Sequence, residues 1–501
     1  MVAAVASCLA VAFGLFAFTA GFGLTGSRAA AAVLGVAAAA LAAWLVGRRR
    51  VPALDAGAAS RPLRLVSSLA AAAALVQLAR LAVFHVAPAE TGYSMVPGSD
   101  WEVRHACITA YFEAAKLAES VPNVYDEALY SAPDDDPARP RKARMMDGFR
   151  VDTYEYPPPF LLLPRALRLV TPEFAGFRNF WFGLNGGLVL ASLLTVASFL
   201  GPAAGTRMLL LSPLAWVALP TLSALQKGNV QLLTVAASMV AMVLFERRRF
   251  AAGGAVLAFV TVSKLFPGLL GVYLLARRQW RAAAWSAAFG VVFAGAALLD
   301  LGWAPYRAFL DHVPGLLSGE SFPAFRNPAA RAINFSVPGL VFKLGLFGVP
   351  GMSFAASKVV GWIFTVIVTA AVWAAGRRAP RRFELPIAWM AILILATLRS
   401  PFLPQSYAAF PPLLLLVLLA ARREVTGHRL AVALVGWAAL NFLWPHDWPV
   451  DPRLLAIANL VPQSLTLGLA VYALARRPER DAESAPGPAL LEPTAPAAAG
   501  R

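Results

Sequence analysis

Carboxylates and cations that could act together are concentrated in a few places along this chain. The longest polar interval runs from Ser99 to Pro159 and holds close to half of the acidic residues. Asp100 opens it behind Ser99, and Asp126, Asp152 and Glu155 follow. An ionised carboxylate at a membrane surface can take a proton from a hydroxyl. An acid in a first helical turn can equally do no more than favour the positive end of that helix. The position of Asp100 leaves both roles open. Lys264 stands between two apolar runs, just before Pro267. An ionisable group at membrane depth is a functional candidate by default, while a lysine at a span's end also snorkels to the interface. Lys227 precedes Gly228-Asn229, where a helix start would offer N–H groups to an anion. Arg399 precedes Ser400-Pro401, and Arg326 and Arg331 read as solvated loop charges. His446-Asp447 lies between Trp444 and Trp448, a turn suited to the aromatic belt that can also line a sugar site.

No metal or other cofactor is expected. Asp134-Asp135-Asp136 is bracketed by Pro133 and Pro137 and reads as a solvated turn. The five histidines (85, 105, 312, 428 and 446) are scattered without ligand spacing. Cys8 and Cys107 suggest neither a disulfide framework nor a metal site. There is no phosphate-binding glycine loop, no dinucleotide fingerprint and no Ser-His-Asp pattern.

The elements that must position these residues are membrane helices. The 501-residue chain is 59% hydrophobic and only 14% charged, against about a quarter charged in soluble domains. Apolar runs near the ~20 residues needed to cross a bilayer recur from residue 3 to 475. This is the pattern of an all-α polytopic membrane protein. The runs are 3–23, 29–46, 65–88, 177–199, 208–225, 229–245, 250–264, 266–276, 282–299, 354–375, 385–398, 407–421, 429–444 and 452–475. They amount to about 12–14 transmembrane or re-entrant helices. Residues 250–264 and 266–276 are expected to be a broken pair at Lys264–Pro267, where proline interrupts the helix. Four parts follow: N-terminal helices over 1–88, a loop with amphipathic helices over 89–176, a helical core over 177–475 and a disordered tail over 476–501, rich in Ala, Pro and Glu.

Charge orients these spans. Every second connection is basic, and that side carries 23 of the 44 Lys and Arg residues and 8 of the 27 acids. The positive-inside rule makes it cytoplasmic. Both termini are then cytoplasmic, the first span is a retained helix without a basic leader, and loops 89–176, 300–353, 399–406 and 445–451 face outward. The net charge of +17 is therefore topological. It points to anionic membrane lipids and not to nucleic acid. Within the first outer loop, Ser99-x-x-Glu102 reads as a capping box with Glu102 as the capping partner. A helix is expected from there to about Ser120, with Val103, Cys107, Ala110, Ala114 and Leu117 on its apolar face and Glu113 and Lys116 on another. Residues 161–170 are too short to span and fit the interface.

Asp100-Trp101-x-Val103, with Pro122-Asn123-Val124-Tyr125-Asp126 and Tyr156-Pro157-Pro158, resembles the first outer loop of glycosyltransferase family 87. Gly228-Asn229-Val230-Gln231, Gly253-Gly254 with Lys264-x-x-Pro267 before Arg277-Arg278-x-Trp280, and Ser400-Pro401 match further elements in order. Arg104-His105, the long 126–153 segment and Phe402-Leu403-Pro404 depart from that pattern, as do the two extra N-terminal spans.

The resemblance implies the C-type glycosyltransferase architecture. The expected enzyme is a plasma (inner) membrane hexosyltransferase that uses a polyprenyl-phosphate-linked sugar, with mannose the family-weighted choice. The acceptor would be a glycolipid or polysaccharide, and a single displacement would invert the anomeric centre. Asp100 is then the catalytic base. Lys264, Arg399 and Lys227 hold the donor phosphate, and Tyr156, Pro157, Asn229, Gln231, Ser400 and His446 line the substrate site. Two other classes fit a many-helix chain. A lipid-linked-sugar flippase predicts internal repeats, and none is visible. A scaffold does not account for polar motifs gathered on one face.

Overall fold

The apolar runs become helices whose ends are set by proline and glycine. The computed structural model describes residues 2–47, 57, 59–134, 141–378, 380–422, 425–445 and 447–476. The tail after 476, Asp135, Asp136 and His446 lie outside the described residues. An N-terminal hairpin, α1 (Val2–Thr25) and α2 (Arg28–Gly47), precedes α3 (Arg61–Val86). The 89–176 segment carries α4 (Asp100–Arg104), α5 (Ile108–Leu117) and α6 (Leu162–Val170), with short strands β1 (His105–Ala106), β2 (Ser131–Pro133), β3 (Arg141–Ala143), β4 (Met145–Met146) and β5 (Phe149–Val151). The bundle continues through α7 (Phe174–Leu200), α8 (Pro202–Leu211), α9 (Pro213–Trp216), α10 (Leu219–Lys227), α11 (Gln231–Glu246), α12 (Phe250–Lys264), α13 (Leu269–Ala276) and α14 (Trp280–Leu301). Shorter helices α15 (Ala304–Ser318), α16 (Pro328–Ala332) and α17 (Leu340–Leu346) lead to α18 (Phe354–Gly376) and α19 (Glu384–Thr397). The chain closes with α20 (Gln405–Ala408), α21 (Phe410–Ala421), α22 (Gly427–Leu440) and α23 (Pro452–Ala475).

Among the described residues, seven helices are long and apolar enough to cross a membrane, or eight if the bent pair α8–α9 and α10 counts as one span. Six shorter apolar helices make up the other runs. The protein is an all-α polytopic membrane protein. Its centre is α11 and α19, whose side chains are buried along nearly their whole length. Its perimeter is apolar too: Val291, Leu299, Val366 and Val435 are exposed on α14, α18 and α22. In a soluble protein such a surface would be a liability; against lipid tails it costs nothing. The N-terminal hairpin joins the bundle where α1 crosses α7. Gly186 lets the Phe16 ring approach so closely that an added Cβ would lie 2.1 Å from it.

Two expectations about continuity are corrected. Residues 208–225 do not form one straight span: the chain turns by 69° between Trp216 and Leu219, with Pro213 and Pro220 each in the first turn of the following piece. The helix expected from Ser99 to Ser120 is broken. Its first turn ends at Arg104, and His105–Ala106 run extended beside Arg150–Val151 in parallel register. The Thr109 hydroxyl donates to the Ala106 and Arg150 carbonyls and accepts from the Asp152 amide at 3.0 Å, latching α5 onto β5. Glu113, expected on a polar face, is buried and takes Arg144 at 2.6 Å. The break expected at Lys264–Pro267 is present, with Leu265 at φ +44° and a 3-10 turn over Phe266–Gly268.

Candidate active site

The ends of α4, α10, α12, α19 and α20 meet at one end of the bundle, under the 89–176 segment. Ser99 caps α4: its hydroxyl accepts from the Glu102 amide at 3.0 Å. Asp447 reinforces the cap, accepting from the Ser99 hydroxyl at 2.6 Å and from the Trp101 amide at 2.9 Å. Loop 445–451 is thereby tied to the helix that presents Asp100. The Glu102 side chain is not a capping partner. It turns inward onto Lys227 at 2.8 Å.

Asp100 sits at the rim of this assembly, its side chain 54% exposed. One carboxylate oxygen takes Arg104 and the other takes Arg150, each at 2.7 Å. Arg150 also lies over Trp101, 5.2 Å from the ring centre. Trp101 stacks on His105 at 4.6 Å, which leads from the rim into a polar recess. There the His105 Nε2 atom is 3.4 Å from Asp152, 3.6 Å from the Cys107 sulfur and 3.0 Å from the Tyr407 hydroxyl. Burial pushes the Asp152 carboxyl up to about 7, against the pull of Lys227 and a hydrogen bond from Cys107. The Cys107 thiol is pushed up to about 11 by burial and by the charge of Asp152.

Beneath this recess, Gly228 takes the left-handed conformation (φ +67°) that ends α10, and its carbonyl accepts from the Trp181 indole at 2.8 Å. Asn229 then faces three ways. Its Oδ1 atom accepts from the Gln231 amide at 2.9 Å and from Lys264 Nζ at 3.3 Å, and its Nδ2 donates to the Cys107 sulfur at 3.4 Å. The Lys264 ammonium also lies 5.8 Å from the centre of the Tyr156 ring. The Tyr156 hydroxyl meets that of Tyr111 at 3.0 Å. Pro157 is buried at the start of a 3-10 turn, its carbonyl taking the Tyr154 hydroxyl. The Gln231 amide nitrogen donates to Thr397 at 3.3 Å. Asp100, Lys227, Asn229, Gln231, Lys264, Tyr156 and Pro157 are thus drawn to one end of the bundle by the same short chain of contacts.

Arg399 and Ser400, just beyond the end of α19, have partners of their own. Arg399 donates to Thr365 at 2.9 Å and packs over Trp362, both on α18. The Ser400 hydroxyl donates to the Phe402 carbonyl at 2.7 Å. Their segment is bound to 334–337 through Asn334, which donates to the Pro401 carbonyl and accepts from the Leu403 amide. Lys227 carries no spare charge for an anion, since Glu102 already neutralises it. His446 lies outside the described residues. Spacing missed the contacts of Asp447 with Ser99 and Trp101, the contact of Tyr407 with His105, and the pairing of Glu155 with His312 at 2.8 Å. Each joins segments more than 150 residues apart, and no local pattern marks such a contact. Among the described residues, Lys264 is a cation directed at the centre of the site, and its contacts there are the neutral groups Asn229 and Tyr156.

A model of Glycosyltransferase family 87 matches residues 154–404, half of the chain. The chain belongs to glycosyltransferase family 87. The family 87 match includes Tyr156, Pro157, Lys227, Asn229, Gln231, Lys264, Arg399 and Ser400, and leaves Asp100 and His446 outside it. Searches of curated proteins and of solved structures found no match. This family 87 member is therefore a membrane glycosyltransferase, and its site brings carboxylates and Lys264 together at one end of a helical bundle.

Proposed function

We propose that the protein transfers a hexose, mannose being the first to test, from a polyprenyl-phosphate sugar to a glycolipid or polysaccharide acceptor. The transfer takes place on the outer face of the plasma membrane, and both termini are cytoplasmic. The observation that carries this reading is Lys264: a helix-end cation aimed at Asn229 and Tyr156, in a recess whose rim holds Asp100. Among the described residues, Arg247–Arg249 follows the end of α11 away from Gln231, and Arg277–Arg281 follows the end of α13 away from the break after Lys264, which supports an outward site.

Asp100 acts as base. An ionised carboxylate offers about four acceptor positions, so an acceptor hydroxyl can bond to it while Arg104 and Arg150 stay in place. The hydroxyl oxygen attacks the anomeric carbon and its proton passes to Asp100. The bond from that carbon to the lipid phosphate breaks, with the electron pair leaving on the phosphate. Lys264 stabilises that charge, and the single displacement inverts the anomeric centre.

The test is a transfer assay with purified protein in lipid, a labelled polyprenyl-phosphate mannose and candidate acceptors. Label appearing on an acceptor supports the reading. Transfer from a nucleotide sugar alone overturns the donor class. Label crossing the bilayer without transfer replaces the enzyme by a flippase.

A further inference from the structure

The broken helix at His105 has a chemical result that lies outside the transferase reading and does not rest on it. β1 ends at Ala106, and Cys107 follows in the turn that leads into α5, its sulfur 3.6 Å from the His105 imidazole nitrogen. The parallel register pairs His105 with Arg150 and Ala106 with Val151. Cys107 and Asp152 each follow directly on one of these paired strands. The His105 imidazole nitrogen, the Cys107 sulfur and an Asp152 carboxylate oxygen all lie within 4.8 Å of one another.

We propose that His105, Cys107 and Asp152 form a binding site for one zinc-class divalent transition-metal ion. Both separations measured from the His105 nitrogen are those of a coordination tetrahedron. Ligand bonds of about 2.0–2.1 Å to nitrogen or oxygen and about 2.3 Å to sulfur put nitrogen and oxygen ~3.3 Å apart and nitrogen and sulfur ~3.6 Å apart. The observed separations are 3.4 Å for His105–Asp152 and 3.6 Å for His105–Cys107. The Tyr407 hydroxyl, 3.0 Å from the His105 nitrogen and 3.1 Å from the sulfur, stands where a fourth ligand comes. The donor set of thiolate, imidazole and carboxylate suits zinc or cobalt and not magnesium or calcium. Binding converts the Cys107 thiol to thiolate and holds Asp152 as carboxylate, releasing the thiol proton and any proton on Asp152. Two anionic ligands then balance a divalent cation, and no electron is transferred. Asn229 supports the sulfur from outside with its N–H donor at 3.4 Å. Cys107 is a free thiol, so no disulfide competes for it.

The two cysteines make the test internally controlled, because Cys8 is the other free thiol and contacts the Ala71 carbonyl at 3.5 Å. Full-length protein in detergent is stripped with chelator and titrated with Co2+. Equimolar binding is expected, with a thiolate-to-cobalt charge-transfer band that zinc abolishes. The band should vanish in Cys107→Ser and persist in Cys8→Ser. His105→Gln and Asp152→Asn should each weaken binding by more than the ~10–100-fold typical of losing an outer-shell partner. The proposal is overturned if stripped wild-type protein binds no equimolar cobalt, or if the band survives in Cys107→Ser. The wild-type titration is decisive alone, so misfolding of a variant cannot shelter the idea.

Discussion

Lys227 and Glu102 face each other at 2.8 Å with both side chains only 3% exposed. They come from α10 and α4, 125 positions apart, and dock the 89–176 segment onto the bundle. Breaking a buried pair strands a charge, which costs far more than deleting both partners. Glu102→Met should lower stability by about 3–5 kcal/mol, and Lys227→Met by a similar amount. The Glu102→Met/Lys227→Met double variant should recover most of the loss. Thermal unfolding of the four proteins in one detergent checks this; additive losses would show that the two charges do not depend on each other.

Asp100 is also paired, but at the surface. Exposed ion pairs contribute about 0–1 kcal/mol, so Asp100→Asn should insert and unfold like wild type. Its role as base predicts a fall in turnover of about 10²–10⁴-fold. Near-normal transfer by Asp100→Asn would remove it from the mechanism. Arg150→Gln, which frees one carboxylate oxygen, should change turnover much less.

Lys264 has neutral neighbours on the site side, Asn229 and Tyr156. Lys264→Met should reduce kcat/KM for the lipid-phosphate donor by about 10²–10³-fold, the range for losing a charge-stabilising donor. Lys264→Arg should restore part of it. Equal donor kinetics for wild type and Lys264→Met would mean that the ammonium only snorkels.

Glu155 titrates against burial. Its carboxyl is raised above the ordinary carboxylate value, first because it is buried, with His312 opposing the shift. A raised folded pKa means the folded state binds the extra proton. Its contribution to stability is fully present below the ordinary carboxylate value and is lost as pH rises through the folded one. Wild type should therefore lose stability relative to Glu155→Gln as pH rises through that window. A stability difference that is flat with pH, followed by thermal unfolding from acid to neutral, would contradict this.

What the chain reveals residue by residue is its membrane character. A span needs about 20 apolar residues in a row, and that demand is local, so α1, α2, α3, α7, α14, α18 and α23 all lie where the hydrophobic runs place them. The break after Lys264 is equally visible, because Pro267 announces it. The motifs around Tyr156, Asn229 and Lys264 mark the family for the same reason: each is a short contiguous pattern.

The recess is a different matter. Residues 103–117 keep a helical period, yet α5 begins only at Ile108, because β5 claims the backbone of His105–Ala106 from 45 residues away. The partners of Lys227 and Glu113 and the meeting of His105, Cys107 and Asp152 follow from that docking. Periodicity reports how a segment meets solvent or lipid, and it carries no information on which distant charge will share its burial. Buried polar groups need partners, and here folding supplies them from segments that the sequence keeps far apart.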